Sequence, residues 1–264
     1  MTSRTLPLSS NQQAHCLDQG AGEPLVLIHG VGMQAAAWGP QIAAFAQQYR
    51  VIAVDMPGHG QSTRLPGEPG LTDYVAWMVE FISALQLGPV NLAGHSMGAL
   101  IAAGVAIERP DLVRRLAVIN GVHLRTDAAR HAVVTRSDEL ATGRVDVETP
   151  LQRWFDEGTT EASLVEDVRS WLENVDVQGY ADAYRAFARG DVTYAERWTE
   201  VGCPALALTG AEDANSTPAM ALSMAAQARN GKAVVIPHER HMVNLTAPAK
   251  VNAALAEWLG TTTN

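Results

Sequence analysis

Six short runs in this chain are apolar without interruption or nearly so: Leu25-Val-Leu-Ile28, Val51-Ile-Ala-Val54, Val90-Asn-Leu-Ala93, Leu116-Ala-Val-Ile119, Ala205-Leu-Ala-Leu208 and Ala233-Val-Val-Ile236. A strand with one wet face alternates apolar and polar residues, whereas a strand covered on both faces does not. The runs therefore predict a parallel sheet with helices on both sides. The stretches between them supply helices, at residues 35–49, 72–86, 97–109, 217–229 and 247–259. Strand–helix–strand units of this kind wind right-handedly into a doubly wound α/β sheet. Residues before 22 are expected to add antiparallel edge strands.

One interval breaks the alternation. Residues 122–190 look helical and carry Trp154, Phe155, Trp171, Tyr180, Tyr184 and Phe187, with 13 Asp and Glu against eight Arg and no Lys. A structureless loop of that length is uncommon in a compact domain. The reading is a helical cap, or lid, inserted after the sixth strand over one end of the sheet, with 1–121 and 191–264 forming the core around it.

Bulk properties narrow the function classes. A net charge of −9 over 264 residues argues against nucleic acid, which requires a basic face. No stretch approaches 18 uninterrupted apolar residues, and the start MTSRTLPLSSNQQAH lacks the apolar core of a signal peptide. The only two cysteines, Cys16 and Cys203, lie far apart, which suits a reducing compartment. The expected setting is the cytoplasm, and the expected partner is a small-molecule substrate. Neither nucleic acid nor a membrane is expected, and homodimer formation is left open.

The motif that speaks to chemistry is Gly94-His-Ser-Met-Gly98, directly between the Val90–Ala93 run and the Met97–Glu108 helical stretch. A sharp strand-to-helix turn strains the serine backbone and lifts its hydroxyl above the strand end. Gly94 and Gly98 permit the close approach that this requires. The Met97 N–H is left free at a helix N-terminus, where it can face a developing oxyanion. Ser96 thus reads as a nucleophile rather than as an ordinary helix cap.

A serine nucleophile needs a base and the base an orienting acid, in the chain order serine, acid, histidine. His241 lies a few residues past the Ala233–Ile236 run and is preferred to His238, which is nearer the strand end and reaches less far. The acid is expected after Ala205–Leu208, where Glu212 and Asp213 are adjacent. Their side chains diverge, so only one faces His241, and Asp213 is taken; an alternative acid position follows the fourth run, but that run ends in Asn120-Gly121 without a carboxylate. The second oxyanion donor is expected from His29-Gly-Val-Gly-Met33, at the Val31 N–H. His29 and His59 read as histidines that orient loops. His238-Glu-Arg-His241 is one residue short of a zinc-binding spacing, so no metal is assigned. There is no G-x-G-x-x-G after a strand and no phosphate-binding G-x-x-x-x-G-K-[ST], so no cofactor is implied.

Taken in order, HGVGM, DMPGHGQS, GHSMG, GAEDANSTP and RHM resemble the α/β-hydrolase superfamily over nearly the whole chain. LQRWFDEG (151–158) and VQGYADAYRAFARGDV (177–192) are similar to the cap of 3-oxoadipate enol-lactonases and related small esterases. That resemblance implies that Trp154 faces Ser96 in an acyl pocket. The first loop departs from the enol-lactonase pattern, having Gly30 where a serine is common. Meta-cleavage-product C–C hydrolases also resemble the sheet, but they often carry Asn at the position of His95 and G-P-G in the first loop. Haloalkane dehalogenases use an aspartate where this chain has Ser96.

The expected activity is cleavage of a small ester or lactone through an acyl-enzyme on Ser96. The alternatives are a C–C hydrolase, or a non-hydrolytic receptor or lyase of the same fold. Pocket-lining candidates are Val31, Met33, Trp154 and Met242, with Arg125, Arg153 or Arg185 available to a substrate carboxylate.

Overall fold

The computed structural model describes residues 1–8, 11–140, 146–156 and 161–263. Its strands are β1 (Thr2–Pro7), β2 (Gln13–Gln19), β3 (Glu23–Ile28), β4 (Tyr49–Val54), β5 (Val90–His95), β6 (Val113–Ile119), β7 (Pro204–Gly210) and β8 (Asn230–Ile236). They form one sheet in the order β1-β2-β4-β3-β5-β6-β7-β8. The pairs β1–β2 and β2–β4 are antiparallel, and the remainder are parallel. The expected edge strands before residue 22 are therefore β1 and β2.

The helices are α1 (Gly39–Phe45), α2 (Leu71–Leu85), α3 (Met97–Glu108), α4 (Asp127–Leu140), α5 (Glu148–Trp154), α6 (Ala162–Asn174), α7 (Val177–Gly190), α8 (Pro218–Gln227), α9 (Val243–Thr246) and α10 (Pro248–Leu259). Both faces of the sheet are dry, which explains the uninterrupted apolar runs. Val26 and Ile28 of β3 turn to one side with Ile52, Leu92 and the apolar faces of α2 and α3. Leu25 and Leu27 turn to the other, with Trp38, Ile42 of α1 and Trp258 of α10. Burying each such side chain contributes about 1.5–3 kcal/mol relative to exposure.

Two expected helices are divided. Residues 35–49 form a tight 3-10 turn at Ala35–Trp38 and then α1, which starts at Gly39-Pro40 and ends at Phe45. A proline fits the first helical turn, where its missing N–H has no partner to lose. Residues 247–259 begin at Pro248 for the same reason, and the short α9 precedes them. Between β6 and β7 lie α4, α5, α6 and α7. Residues 141–145 and 157–160 of this interval, inside the expected cap, lie outside the described residues.

Contacts seat α7 on the core. Gly179 and Gly58 pack backbone to backbone, with no room for a Cβ on either. Arg64 pairs with the buried Asp182 at 2.7 Å. The buried Asp191, just past α7, pairs with Arg125 (3.1 Å) and Arg130 (3.0 Å) and accepts from the Arg125 N–H (2.8 Å). Both chain passages into and out of 122–190 are thereby tied together. Among the described residues no helix is long and apolar enough to cross a membrane.

Candidate active site

The chain leaves β3 in one direction to reach β4 and later returns past it to β5, so β3 lies between them. At such a reversal the loops leaving neighbouring strands diverge and open a crevice at the carboxyl ends. The loop after β3 brings Val31 to this crevice, and the turn after β5 brings Ser96.

Ser96 has φ 54° and ψ −115°, a left-handed conformation that costs a non-glycine residue about 1–3 kcal/mol. Its neighbours accommodate that turn. A Cβ on Gly94 would overlap the Gly98 carbonyl, and one on Gly98 would overlap the Ile28 and His29 carbonyls. The Ser96 N–H donates to Ile119 O of β6 (2.9 Å), which anchors the turn to the sheet. The Ser96 side chain makes no capping bond to α3. Its hydroxyl instead donates to His241 Nε2 at 3.1 Å.

His241 Nδ1 lies 2.7 Å from Asp213 Oδ2. A carboxylate there keeps the imidazole proton on Nδ1 and leaves Nε2 as the acceptor facing serine. Asp213 is itself fully engaged. Oδ2 also accepts from Asn120 Nδ2 (2.7 Å), and Oδ1 accepts from the Asn215 and Ser216 N–H groups (2.8 and 3.1 Å). Burial works to raise its pKa, but His241, Asn120 and the Ser216 N–H outweigh it and hold the carboxyl below its usual range. Glu212 turns outward toward His238 at 3.7 Å, and the His238 side chain is 91% exposed, so neither belongs to the site.

Met97 follows Ser96 in the chain and Val31 lines the same pocket as Ser96, and among the described residues neither backbone N–H has an acceptor. Two buried histidines hold the loop that carries Val31. His29 accepts from the Met56 N–H (2.9 Å) and donates from Nδ1 to Gly30 O (2.7 Å). His59 accepts from the Gly32 N–H (3.0 Å) and donates to Pro57 O (3.1 Å). Burial pushes the His59 pKa down to about 3 and lowers that of His29. Both therefore stay neutral and keep these bonds. His95, beside the serine, donates from Nε2 to His241 O (2.8 Å), and burial lowers its pKa to about 3.

Above Ser96 is a pocket of about 770 Å³, counting the space at its mouth. Val31, Met33, Trp154 and Met242 all line it, as the sequence led us to expect. Trp154 lies over the His241 ring, with centroids 5.8 Å apart and planes at 30°. Arg125 and Arg153 also line it, while Arg185 does not and is engaged with Asp182 at 3.0 Å. Arg136 of α4 was missed, because an arginine on a helix reads as a solvated face until its neighbours are known; it is half-buried in the pocket wall. Arg125 is spent on Asp191. Among the described residues no carboxylate lies within ion-pair distance of Arg136 or Arg153, and Arg153 makes only a long bond to Asn215 (3.4 Å).

The site thus sets a serine above the reversed sheet, with His241 on its hydroxyl and Asp213 on the histidine. The sequence pattern described as "Alpha/beta hydrolase family" matches residues 25–254, and the chain belongs to that family. It is a hydrolase. The chain is 60% identical, over 99% of its length and 100% of the other's, to a protein of Acinetobacter baylyi named (E)-2-((N-methylformamido)methylene)succinate hydrolase. The enol-lactonase of Burkholderia xenovorans superposes with a TM-score of 0.88 at 21% identity, covering 98% of this chain and 100% of that one. An E-2-(acetamidomethylene)succinate hydrolase superposes at 0.81 and 21% identity, covering 98% and 99%. At these identities the two structures share the fold.

Proposed function

We propose that this hydrolase removes the acyl group from an (amidomethylene)succinate, with (E)-2-((N-methylformamido)methylene)succinate as its substrate. The observation that carries the reading is the Ser96–His241–Asp213 relay beneath a pocket lined by Arg136 and Arg153, neither of which is in an ion pair among the described residues, although Asp146 lines the same pocket and feels the charge of Arg136. Two guanidinium groups suit the two carboxylates of a succinate, because their planar donors match carboxylate oxygens. The 60% identity to the Acinetobacter protein supports the same substrate.

The chemistry follows from the groups present. His241 takes the Ser96 proton as Oγ attacks the formyl carbon, and the Val31 and Met97 N–H groups receive the oxyanion. Each such donor is worth about 2.7–4 kcal/mol in comparable sites. Collapse breaks the C–N bond, and the imidazolium protonates the departing nitrogen. That nitrogen is conjugated through the methylene carbon to a carboxylate, so it leaves more readily than an ordinary amine. Water, deprotonated by His241, then releases formate from Ser96. The freed enamine hydrolyses to methylamine and a 2-formylsuccinate, a 3-oxo acid that sheds CO2 with loss of a C–C bond.

This moves the reading away from an ester or lactone, since the relative's named substrate contains neither. The alternative, in which a C–C bond is broken, is the better supported of the two, although the route differs from that of meta-cleavage products. The division into a core of 1–121 and 191–264 with 122–190 as lid belongs to the same proposal. So does a cytoplasmic setting, which suits the unpaired Cys16 and Cys203.

The test of the substrate class is the effect of carboxylates on kcat/KM. Arg136→Met and Arg153→Met should each raise KM about tenfold or more with a small change in kcat, as expected for loss of a charged hydrogen bond. N-methyl-N-vinylformamide, which lacks both carboxylates, should be a poor substrate. Equal kcat/KM for that compound would remove the dicarboxylate reading.

A further inference from the structure

Arg240 stands immediately before His241, and both of its ends are fixed. Its carbonyl accepts from Asn120 Nδ2 (3.3 Å), the amide that also orients Asp213. Its side chain crosses to the helices between β6 and β7. There Nη1 donates to Phe155 O (2.7 Å) and Gln152 O (3.3 Å), and Nη2 meets Asp156 Oδ1 (2.9 Å). Those carbonyls are at the C-terminal end of α5, where acceptors lack intrahelical partners and the helix dipole favours a cation. The same helix end carries Trp154, whose indole lies over the His241 ring. Two consecutive residues of one loop thus grip one helix end, one by charge and one by ring stacking.

We propose that Arg240 is a positioning residue for the reaction at Ser96, acting on His241 through α5 and Trp154. By capping α5 it holds the indole against the imidazole, which fixes the ring where Nε2 meets Ser96. The indole face also lies where positive charge develops when His241 takes the serine proton, an arrangement that favours the cation. The proposal rests on the assignment of Ser96 and His241 given above, but not on the identity of the substrate.

A small alkyl fluorophosphonate tests it without the natural substrate. Ser96 Oγ forms a bond to phosphorus, fluoride leaves and His241 takes the proton, so the labelling rate reports the serine–histidine pair. Mass spectrometry of the wild type should find one label, at Ser96, and none in Ser96→Ala. Arg240→Ala should label about tenfold more slowly or worse, in line with the cost of small misplacements at a reacting centre. Its thermal midpoint should stay near that of the wild type, because a partly exposed ion pair adds little stability. Arg240→Lys, which returns one donor to the helix end, should recover part of the rate. Trp154→Ala should be slowed similarly, and Arg240→Ala/Trp154→Ala no more than the slower single variant. An unchanged rate in Arg240→Ala, or fully additive effects of the two substitutions, would overturn the proposal while leaving Ser96 assigned. A wild-type protein that takes no label at Ser96 would overturn the assignment and the proposal together.

Discussion

Ser96 and its two glycines show how far single residues were legible. A serine between glycines, after an apolar run and before a helical one, announces a sharp turn that strains the serine backbone, and φ is 54° there. Gly94→Ala should therefore abolish soluble expression or lower the thermal midpoint by many degrees, since its methyl would meet the Gly98 backbone rather than a movable side chain. Asp213→Asn should leave the fold intact and lower kcat by about 10⁴, because an amide facing Nδ1 favours the wrong imidazole tautomer. Circular dichroism and turnover on the same preparation check both halves of that expectation. The choice of His241 over His238 was also legible, from reach alone. Arg136 and Arg240 were not, since both depend on which residues of the helices between β6 and β7 come near, and local spacing carries no trace of that.

At the scale of elements, β3 to β8 were readable because both faces of the sheet are covered, which removes the alternation that would otherwise blur strand and loop. The breaks at Gly39-Pro40 and Pro248 were less readable, because a proline begins a helix as readily as it interrupts one. The placement of α7 depends on a contact between two glycines 121 residues apart in sequence, Gly58 and Gly179: a Cβ on Gly179 would stand 2.7 Å from the Gly58 Cα. Gly179→Val should force α7 away from the core and cost about 1–3 kcal/mol, as overpacking of a tight contact does. Chemical denaturation should show a lower midpoint with an unchanged slope. A stability equal to wild type would mean that α7 is not seated there.

Over the whole molecule, buried titratable groups set the response to acid. His59 and His95 are pushed from 6.5 to about 3 by burial, and His29 is lowered for the same reason. Between those values the unfolded chain binds protons that the folded chain refuses. Stability is thus fully present above 6.5 and is lost as pH falls toward 3, by up to about 1.4 kcal/mol per pH unit for each group. Asp213 adds to the loss below 3.8, because its folded carboxyl titrates lower than the unfolded one. Thermal midpoints should fall steadily across this window, and His59→Gln should lessen the slope. A flat profile would mean that these imidazoles are protonated in the folded protein.

Under the proposed function one serine, placed by the reversal of the sheet and served by His241 and Asp213, deacylates an (amidomethylene)succinate. The most direct measurement is formate release from (E)-2-((N-methylformamido)methylene)succinate under multiple turnover, by wild type and by Ser96→Ala. Wild type should release many equivalents of formate per chain, and Ser96→Ala should show only a residual rate. Formate release that survives loss of the serine hydroxyl, or a wild type that turns over simple esters while leaving this compound intact, would contradict the proposed function.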